Sequence, residues 1–374
     1  MPDINVALIG YAFMGRAHSN AYRQVSAFFS PSLTPRMKVI CGRTRDKVEQ
    51  VARQFGWDEA ATDWRAVIAR PDIQLVDIST SVDSHADIAI AAAEAGKAVF
   101  CEKPLARNVQ EADAMLAAVR RAGVANMVCH NYRRAPAVML AHRLIAEGAL
   151  GTIWHFRGTY LQEWLVNPDA PRSWRLDRTK AGAGTLGDLG SHVIDLARFL
   201  VGEISDVTGA VETFIKDRPL PDDPSRRVPV SVDDAAAAVV RFAGGALGTI
   251  EVTRYAPGRK NHNRFEINGS LGSLAFNLER MNELELYLAS DPGAVRGFRT
   301  ILVTDREHHP YVKAWWPPGH IIGYEHTFTH TVYDLLEAIA AGTPVAPSFE
   351  DGLKNQRVVD AIERAAGARS WVAV

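Results

Sequence analysis

The chain has 374 residues, more than one ordinary domain holds, which predicts two domains, with a single α/β barrel as the other arrangement of that length. A hydrophobic fraction of 47% is that of a globular protein with a full core, and a net charge of −1 without long blocks of like charge leaves nucleic acid no electrostatic footprint. No apolar run nears the ~20 residues of a membrane span, and the opening "MPDINVALIG" lacks a basic stretch before a long apolar one, so a cytoplasmic protein is expected.

The first ~130 residues alternate apolar strand runs with amphipathic helix patterns, the signature of β-α-β units in a parallel sheet. "INVALIG" is the first strand and "RAHSNAYRQVSAFF" its helix. "MKVICGR" follows, with the helix "RDKVEQVARQFG" closed by Gly56. "IQLVDIST" leads to "SHADIAIAAAEAG", and "KAVFCEKP" and "ANMVCHNY" flank the helix "NVQEADAMLAAVRRAG". Cys41, Cys101 and Cys129 cannot all pair and have no metal-ligand spacing; they read as buried thiols.

After "APAVMLAHRLIAEGALG" the runs lengthen and alternate: "GTIWHFRGTYLQEW", "AAAAVVRFAGGALGTIEVTRY", "RFEINGSLGSLAFNLE" and "ELELYLA". With turns at Gly244-Gly245 and between Gly269 and Gly272, they predict a mostly antiparallel open sheet, with "GSHVIDLARFLVG" as a helix near its start. Residues 216–231 read as a polar, proline-rich loop. Two helical segments, "EHTFTHTVYDLLEAIAAG" and "EDGLKNQRVVDAIERAAG", are expected near the domain junction.

Three stretches carry chemistry. In "GYAFMG", Gly10 permits a tight bend after the strand and Gly15 close helix packing, while Ala12 replaces the glycine that would let a backbone approach a pyrophosphate. The helix N-terminus behind that turn offers free N–H groups and a positive dipole end. Where an acid after the second strand would bind ribose hydroxyls, Gly42, Arg43 and Thr44 stand instead. Arg43 suits a 2′-phosphate or stacking on adenine, or is a solvated surface residue, and Asp46 is a candidate helix cap. "CEKPLA" holds Lys103 on a rigid extended segment at a strand's C-terminal end. In "AGAGTLGDLGSHVIDLARFL", Asp188 and His192 are four apart, which on a helix gives a carboxylate and a proton acceptor one face; a capping role for Asp188 is the alternative.

These stretches together resemble the Gfo/Idh/MocA family of sugar and cyclitol oxidoreductases, over essentially the whole chain. Further words, "FMGRAHSNAY", "EKPLAR", "NYRRAPAV", "FRGTYLQEW" and "SWR", look like its pyranoside-dehydrogenase branch. The resemblance implies a Rossmann-like doubly wound parallel sheet over residues 1–132 and a substrate-binding and oligomerisation α/β domain with a large, mostly antiparallel open sheet over 133–374. It implies Lys103, Asp188 and His192 as the catalytic trio. The cofactor site is expected at Gly10, Ala12, Phe13, Met14, Gly15, Arg43, Thr80, His85, Glu102 and Lys103, and substrate contacts at Lys103, Tyr132, Gln162, Trp164, Trp174, Arg175, Asp188 and His192. The resemblance favours NAD, although residues 42–44 lean toward NADP. Thr80, Ser81 and Val82 depart from the Thr-Pro-Asn that relatives often carry there.

The implied substrate is a sugar, anhydrosugar or glycoside oxidised at a ring hydroxyl, with the 3-position favoured. Inositol and an amino sugar drawn in by Glu163 and Asp169 are the alternatives, and a non-turning-over cofactor-binding regulator is the rival of another class. Trp164 and Trp174 are either sugar-stacking or core residues. A homodimer or homotetramer is expected through the sheet that contains "AAAAVVRFAGGALGTI". His308 and His309 in "DREHHP" read as solvated, with no metal site expected, and Trp315 and Trp316 as packing, pocket or oligomer residues.

Overall fold

The computed structural model describes residues 2–306, 309 and 311–374, and these divide into two units: 1–134 with 322–354, and 135–321 with 355–374. The sequence division at residue 132 keeps 322–354 with the second domain. Their place in the first unit follows from an apolar helix, Tyr324–Ala341, whose Phe328, Val332, Leu335 and Leu336 share one core cluster with Ala21, Tyr22 and Val25 of the helix Phe13–Phe28.

Among the described residues the first unit holds a six-stranded parallel sheet: β1 (Asp3–Ile9), β2 (Thr34–Cys41), β3 (Glu59–Ala61), β4 (Leu75–Ile78), β5 (Ala98–Glu102) and β6 (Asn126–Cys129), in the order β3-β2-β1-β4-β5-β6. Both faces are covered. Ala7 and Ile9 point to one cluster and Val6 and Leu8 to the other, as the two-residue period of a strand requires. Because the strands are parallel, their C-terminal ends share one edge, where Gly10, Gly42, Thr80, Lys103 and Tyr132 follow β1, β2, β4, β5 and β6. Gly56 and Gly123 end their helices in left-handed conformation. Asp46 does not cap: Thr44 is the N-cap residue, and Asp46 sits in the first turn of Arg45–Phe55.

The second unit carries β7 (Ile153–Leu161), β8 (Ile204–Glu212), β9 (Asp217–Pro219), β10 (Arg227–Pro229), β11 (Ala235–Phe242), β12 (Leu247–Thr253), β13 (His262–Gly269), β14 (Gly272–Asn277), β15 (Glu283–Leu288), β16 (Arg299–Leu302) and β17 (Val372–Ala373). Nine of these form one sheet, β16-β15-β14-β13-β7-β12-β11-β8-β17, antiparallel except for the parallel β12–β7 pair. The remaining two, β9 and β10, pair antiparallel inside the stretch expected to be a loop. That hairpin exists because Arg218, fully buried, gives its guanidinium to the carbonyls of Leu165, Asn167 and Ala170 and to the Tyr255 hydroxyl. No helix among the described residues is long and apolar enough to cross a membrane.

Candidate active site

The glycine turn is closed by backbone packing. Gly10 adopts φ +118°, and a Cβ there would lie 2.6 Å from the Ser79 carbonyl oxygen; a Cβ on Gly15 would lie 2.3 Å from the Gly10 carbonyl oxygen. Ala12, the N-cap of Phe13–Phe28, is exposed, makes no side-chain cap, and is followed by no acid in the first turn. The first-turn N–H groups therefore face neither a capping oxygen nor a neutralising charge from their own helix, which is what a pyrophosphate needs. The turn fits a dinucleotide despite its missing glycine. Met14 is half-buried, and Phe13, 67% exposed, stacks at 12° on Tyr324, 6.3 Å between centroids.

At the end of β2, a Cβ on Gly42 would fall 2.0 Å from the Tyr11 ring, so that ring covers the position where an acid would read a ribose. Arg43 is exposed and makes no ion pair among the described residues. Thr80 is half-buried, its hydroxyl accepting from Ser84, and Ser81 and Val82 lead into a short turn ahead of the helix His85–Glu94. Two expected cofactor residues face inward instead. His85 is buried with its ring nitrogens against the carbonyls of Thr80, Pro104 and Leu105, and burial lowers its pKa. Glu102 is buried too, and it supports the chain behind Lys103: its Oε2 accepts the Lys103 backbone N–H at 3.1 Å.

Glu102 belongs to an ionic cluster that the sequence reading missed. His18 Nδ1 lies 2.9 Å from both carboxylate oxygens of Asp77, and His18 Nε2 lies 2.9 Å from Glu102 Oε1. Burial opposes a charge on the ring, yet the Asp77 charge and the hydrogen bonds from Asp77, Cys129 and Glu102 hold the His18 pKa well above the usual histidine value. Burial likewise works against ionised Glu102, but the hydrogen bond and charge of His18, with the charge of Lys103, keep it below the usual carboxylate value. His18, Glu102 and Cys129 place one ligand atom each within 4.8 Å of one another, but a 2.9 Å ring–carboxylate separation is that of a charge-assisted hydrogen bond. The one sequence signal was Asp77, an acid inside the apolar run "IQLVDIST".

In the second unit Asp188 lies on a π-helical turn, Leu186–Gly190, and His192 on the α-helix Ser191–Leu200 that continues it, so the two do not share one regular helix. Asp188 does not cap that helix, whose N-cap is Gly190. Its Oδ2 accepts from Arg254 Nη2 at 2.9 Å. Arg254 is 1% exposed, also donates to the Gly184 carbonyl, and lies 5.2 Å from the Trp164 ring centroid. The turn itself is fixed by Asp233, whose carboxylate accepts from the backbone N–H groups of Gly184 and Leu186.

His192 is buried and meets the Tyr160 ring edge-on at 5.8 Å. Tyr160 and Gln162 both donate to Asn261 Oδ1, at 2.6 and 2.8 Å, and Trp164 Nε1 donates to Gln162 Oε1 at 2.8 Å. The alternate residues Tyr160, Gln162 and Trp164 thus stay linked although β7 ends at Leu161. Trp164 is 46% exposed and Trp174 37%, so neither is a core residue, and the Arg175 guanidinium covers the Trp174 ring at 4.5 Å. Glu163 pairs with Lys260 and Asp169 with Arg227, which gives both rim acids cationic partners already. In the first unit Tyr132 is buried, its ring edge-on to Tyr324. His309 is buried, not solvated, and burial pushes its pKa down to about 4; His308 lies outside the described residues. Trp315 is buried and Trp316 exposed.

Residues 4–130 match the oxidoreductase family with an NAD-binding Rossmann fold, and residues 138–275 match the Gfo/Idh/MocA C-terminal domain. The chain belongs to the Gfo/Idh/MocA family of oxidoreductases. Levoglucosan dehydrogenase of Pseudarthrobacter phenanthrenivorans is 46% identical over 387 residues, 100% of this chain and 99% of that protein. An oxidoreductase domain protein from Kribbella flavida superposes with a TM-score of 0.96 at 53% identity, each chain covered completely. The structure of a levoglucosan dehydrogenase in complex with NADH and levoglucosan gives a TM-score of 0.96 at 47% identity, over 100% of this chain and 99% of the other. This Gfo/Idh/MocA chain thereby bears out the resemblance carried by "GYAFMG", "CEKP" and "GTLGDLGSHVIDLARFL".

Proposed function

We propose that the chain is an NAD-dependent dehydrogenase that oxidises a secondary ring hydroxyl, at the 3-position, of an anhydrosugar or related pyranoside. The reading rests above all on the end-to-end 46% identity to levoglucosan dehydrogenase. Gly10, Ala12, Phe13, Met14 and Gly15 hold the dinucleotide. NAD, when bound, supplies the acceptor for the carbinol hydride at nicotinamide C4.

The chain's own residues handle the proton and the charge. His192 takes the hydroxyl proton on a ring nitrogen. Lys103 donates a hydrogen bond from Nζ to the oxygen as negative charge grows on it, and this favours the transition state over the bound alcohol. Asp188, anchored by buried Arg254, positions the hydroxyl and biases the His192 tautomer. Trp164 and Trp174 offer half-exposed apolar faces for the ring, and Gln162 and Arg175 the polar groups at its edge.

The enzyme works in the cytoplasm, its three cysteines reduced and buried, as a homodimer or homotetramer. The open face of the large sheet supports the assembly: Ala237 and Arg241 stand there opposite Glu251 and Leu247. Light scattering of a 41.0 kDa monomer at micromolar concentration would overturn that part. The activity is tested by adding levoglucosan, glucose and myo-inositol to the protein with NAD and following NADH absorbance. Turnover of levoglucosan is expected; oxidation of simple aliphatic alcohols alone would remove the sugar reading.

A further inference from the structure

His18 is costly to hold in place. It is fully buried, both ring nitrogens face carboxylate oxygens at 2.9 Å, and carboxylates only accept. Satisfying both contacts takes two N–H donors, so the ring must be imidazolium. Phe100 stacks on it at 5.0 Å, Phe328 closes another side at 5.5 Å, and Tyr22 donates to Asp77 Oδ2 at 2.8 Å. Well-packed apolar residues of the same volume would generally be as stabilising as a buried ionic cluster. Stability alone therefore does not account for this one.

Its connections do. His18 lies one turn into the helix that starts at the glycine turn, Asp77 lies on β4, and Glu102 is the last residue of β5. The two oxygens of Glu102 divide their work: Oε1 accepts from His18, and Oε2 accepts the backbone N–H of Lys103. One continuous set of charge-assisted contacts thus runs from the helix carrying the cofactor turn to the peptide that carries the lysine. We propose that His18 is a positioning residue for Lys103, acting through Glu102 to hold the lysine's backbone in register with the glycine turn. The inference rests on the reading of Lys103 as the residue that stabilises the alkoxide.

The test is a set of variants measured for kcat, KM and NAD affinity: Lys103→Met, His18→Gln, Glu102→Gln, and each of the last two combined with Lys103→Met. A glutamine at 102 has no charge and one acceptor oxygen, so at nearly constant volume the charge-assisted contact is lost: either His18 or the Lys103 N–H loses its acceptor, or the His18 ring becomes neutral and accepts from the amide. His18→Gln and Glu102→Gln are each expected to lower kcat at least tenfold, with KM and the NAD Kd within threefold of the parent. In the Lys103→Met background the same changes should alter the residual rate less than twofold, because a residue acting through the lysine has nothing left to act on. A single variant that folds and keeps kcat within twofold overturns the proposal, and so does a full, multiplying effect in the Lys103→Met background. Should His18→Gln not fold, Glu102→Gln and Asp77→Asn carry the same comparison. Wild-type kcat in Lys103→Met would instead overturn the reading of the lysine itself.

Discussion

Arg254 donates to Asp188 at 2.9 Å from a guanidinium that solvent barely reaches, while its Nε and Nη1 have no hydrogen-bond partner among the described residues. A buried cation with one carboxylate partner depends on that partner, and the carboxylate's direction depends on the cation. Arg254→Met should therefore cost about 3 kcal/mol of stability and lower kcat/KM at least a hundredfold. Arg254→Lys keeps the charge without the planar fork and should fall between. Thermal melts and steady-state kinetics check both; a methionine variant with full kcat/KM would detach Arg254 from the function.

Lys103→Met is expected to lose about 10²–10³-fold in kcat, the usual effect of removing one donor to a developing oxyanion, with NAD affinity nearly unchanged. His192→Asn should lose about 10²–10⁴-fold and flatten the acidic limb of the pH–rate profile, since only a neutral ring accepts the proton. If His192→Asn keeps its rate through the neutral range, another residue is the base and Tyr132 is next to be replaced.

The buried cluster gives stability a defined pH window. The folded pKa of His18 lies well above its ordinary 6.5, so its contribution is complete below about pH 6.5 and declines as pH climbs toward the folded value. The folded pKa of Glu102 lies below its ordinary 4.5, so its contribution is complete above about pH 4.5 and declines as pH falls through the folded value. The Tm difference between wild type and His18→Gln should be largest between these limits and smaller at about pH 9. A difference that stays constant from about pH 6 to pH 9 would mean the ring is not charged in the folded state.

The elements carrying regular apolar periodicity were legible in the sequence; those held by long-range polar contacts were not. "INVALIG" and "RDKVEQVARQFG" announce a strand and a glycine-capped helix within one window, and both form where their pattern puts them. The β9–β10 hairpin was hidden because Pro219 and Pro229 sit in its strands and its anchor, Arg218, bonds to carbonyls some 50 residues away. The same holds at the site. Lys103, Asp188 and His192 stand in short motifs, whereas Arg254 reaches Asp188 across 66 positions and His18 reaches Glu102 across 84. Apart from Asp77, an acid inside an apolar run, the sequence carries no local mark of these pairs.

At the proposed cofactor site, cofactor choice is predicted to depend on Tyr11 as well as on Arg43. Residues 42–44 lean toward NADP, but the Tyr11 ring fills the direction in which a side chain at 42 would grow. Gly42→Asp alone should therefore weaken binding of both dinucleotides, because the new Cβ must displace the ring. Combined with Tyr11→Ala it should widen the preference for NAD, since a carboxylate repels a 2′-phosphate. Titrations of both oxidised cofactors measure this. A tenfold preference of the wild type for NADP, about 1.4 kcal/mol, would show that Arg43 decides the cofactor.

At the proposed sugar site, the Glu163–Lys260 pair predicts a neutral sugar rather than an amino sugar. Glu163 would draw an ammonium group if it were unpaired, but Lys260 already pairs with it, and Asp169 has Arg227 as a partner that it shares with Asp217. Lys260 is largely exposed, and such a rim pair contributes only about 0.2–1 kcal/mol to stability. Lys260→Ala should therefore leave the fold intact while returning a net negative charge to the rim beside Trp164. Levoglucosan is expected to exceed any amino-substituted pyranoside at least tenfold in kcat/KM with the wild type, and the gap should narrow in Lys260→Ala through a lower KM for the amine. Raising the ionic strength should shrink that gain, because it is an exposed electrostatic effect. A wild-type enzyme that prefers the amino sugar would mean the paired acids still recruit it, and the neutral-pyranoside assignment would fall.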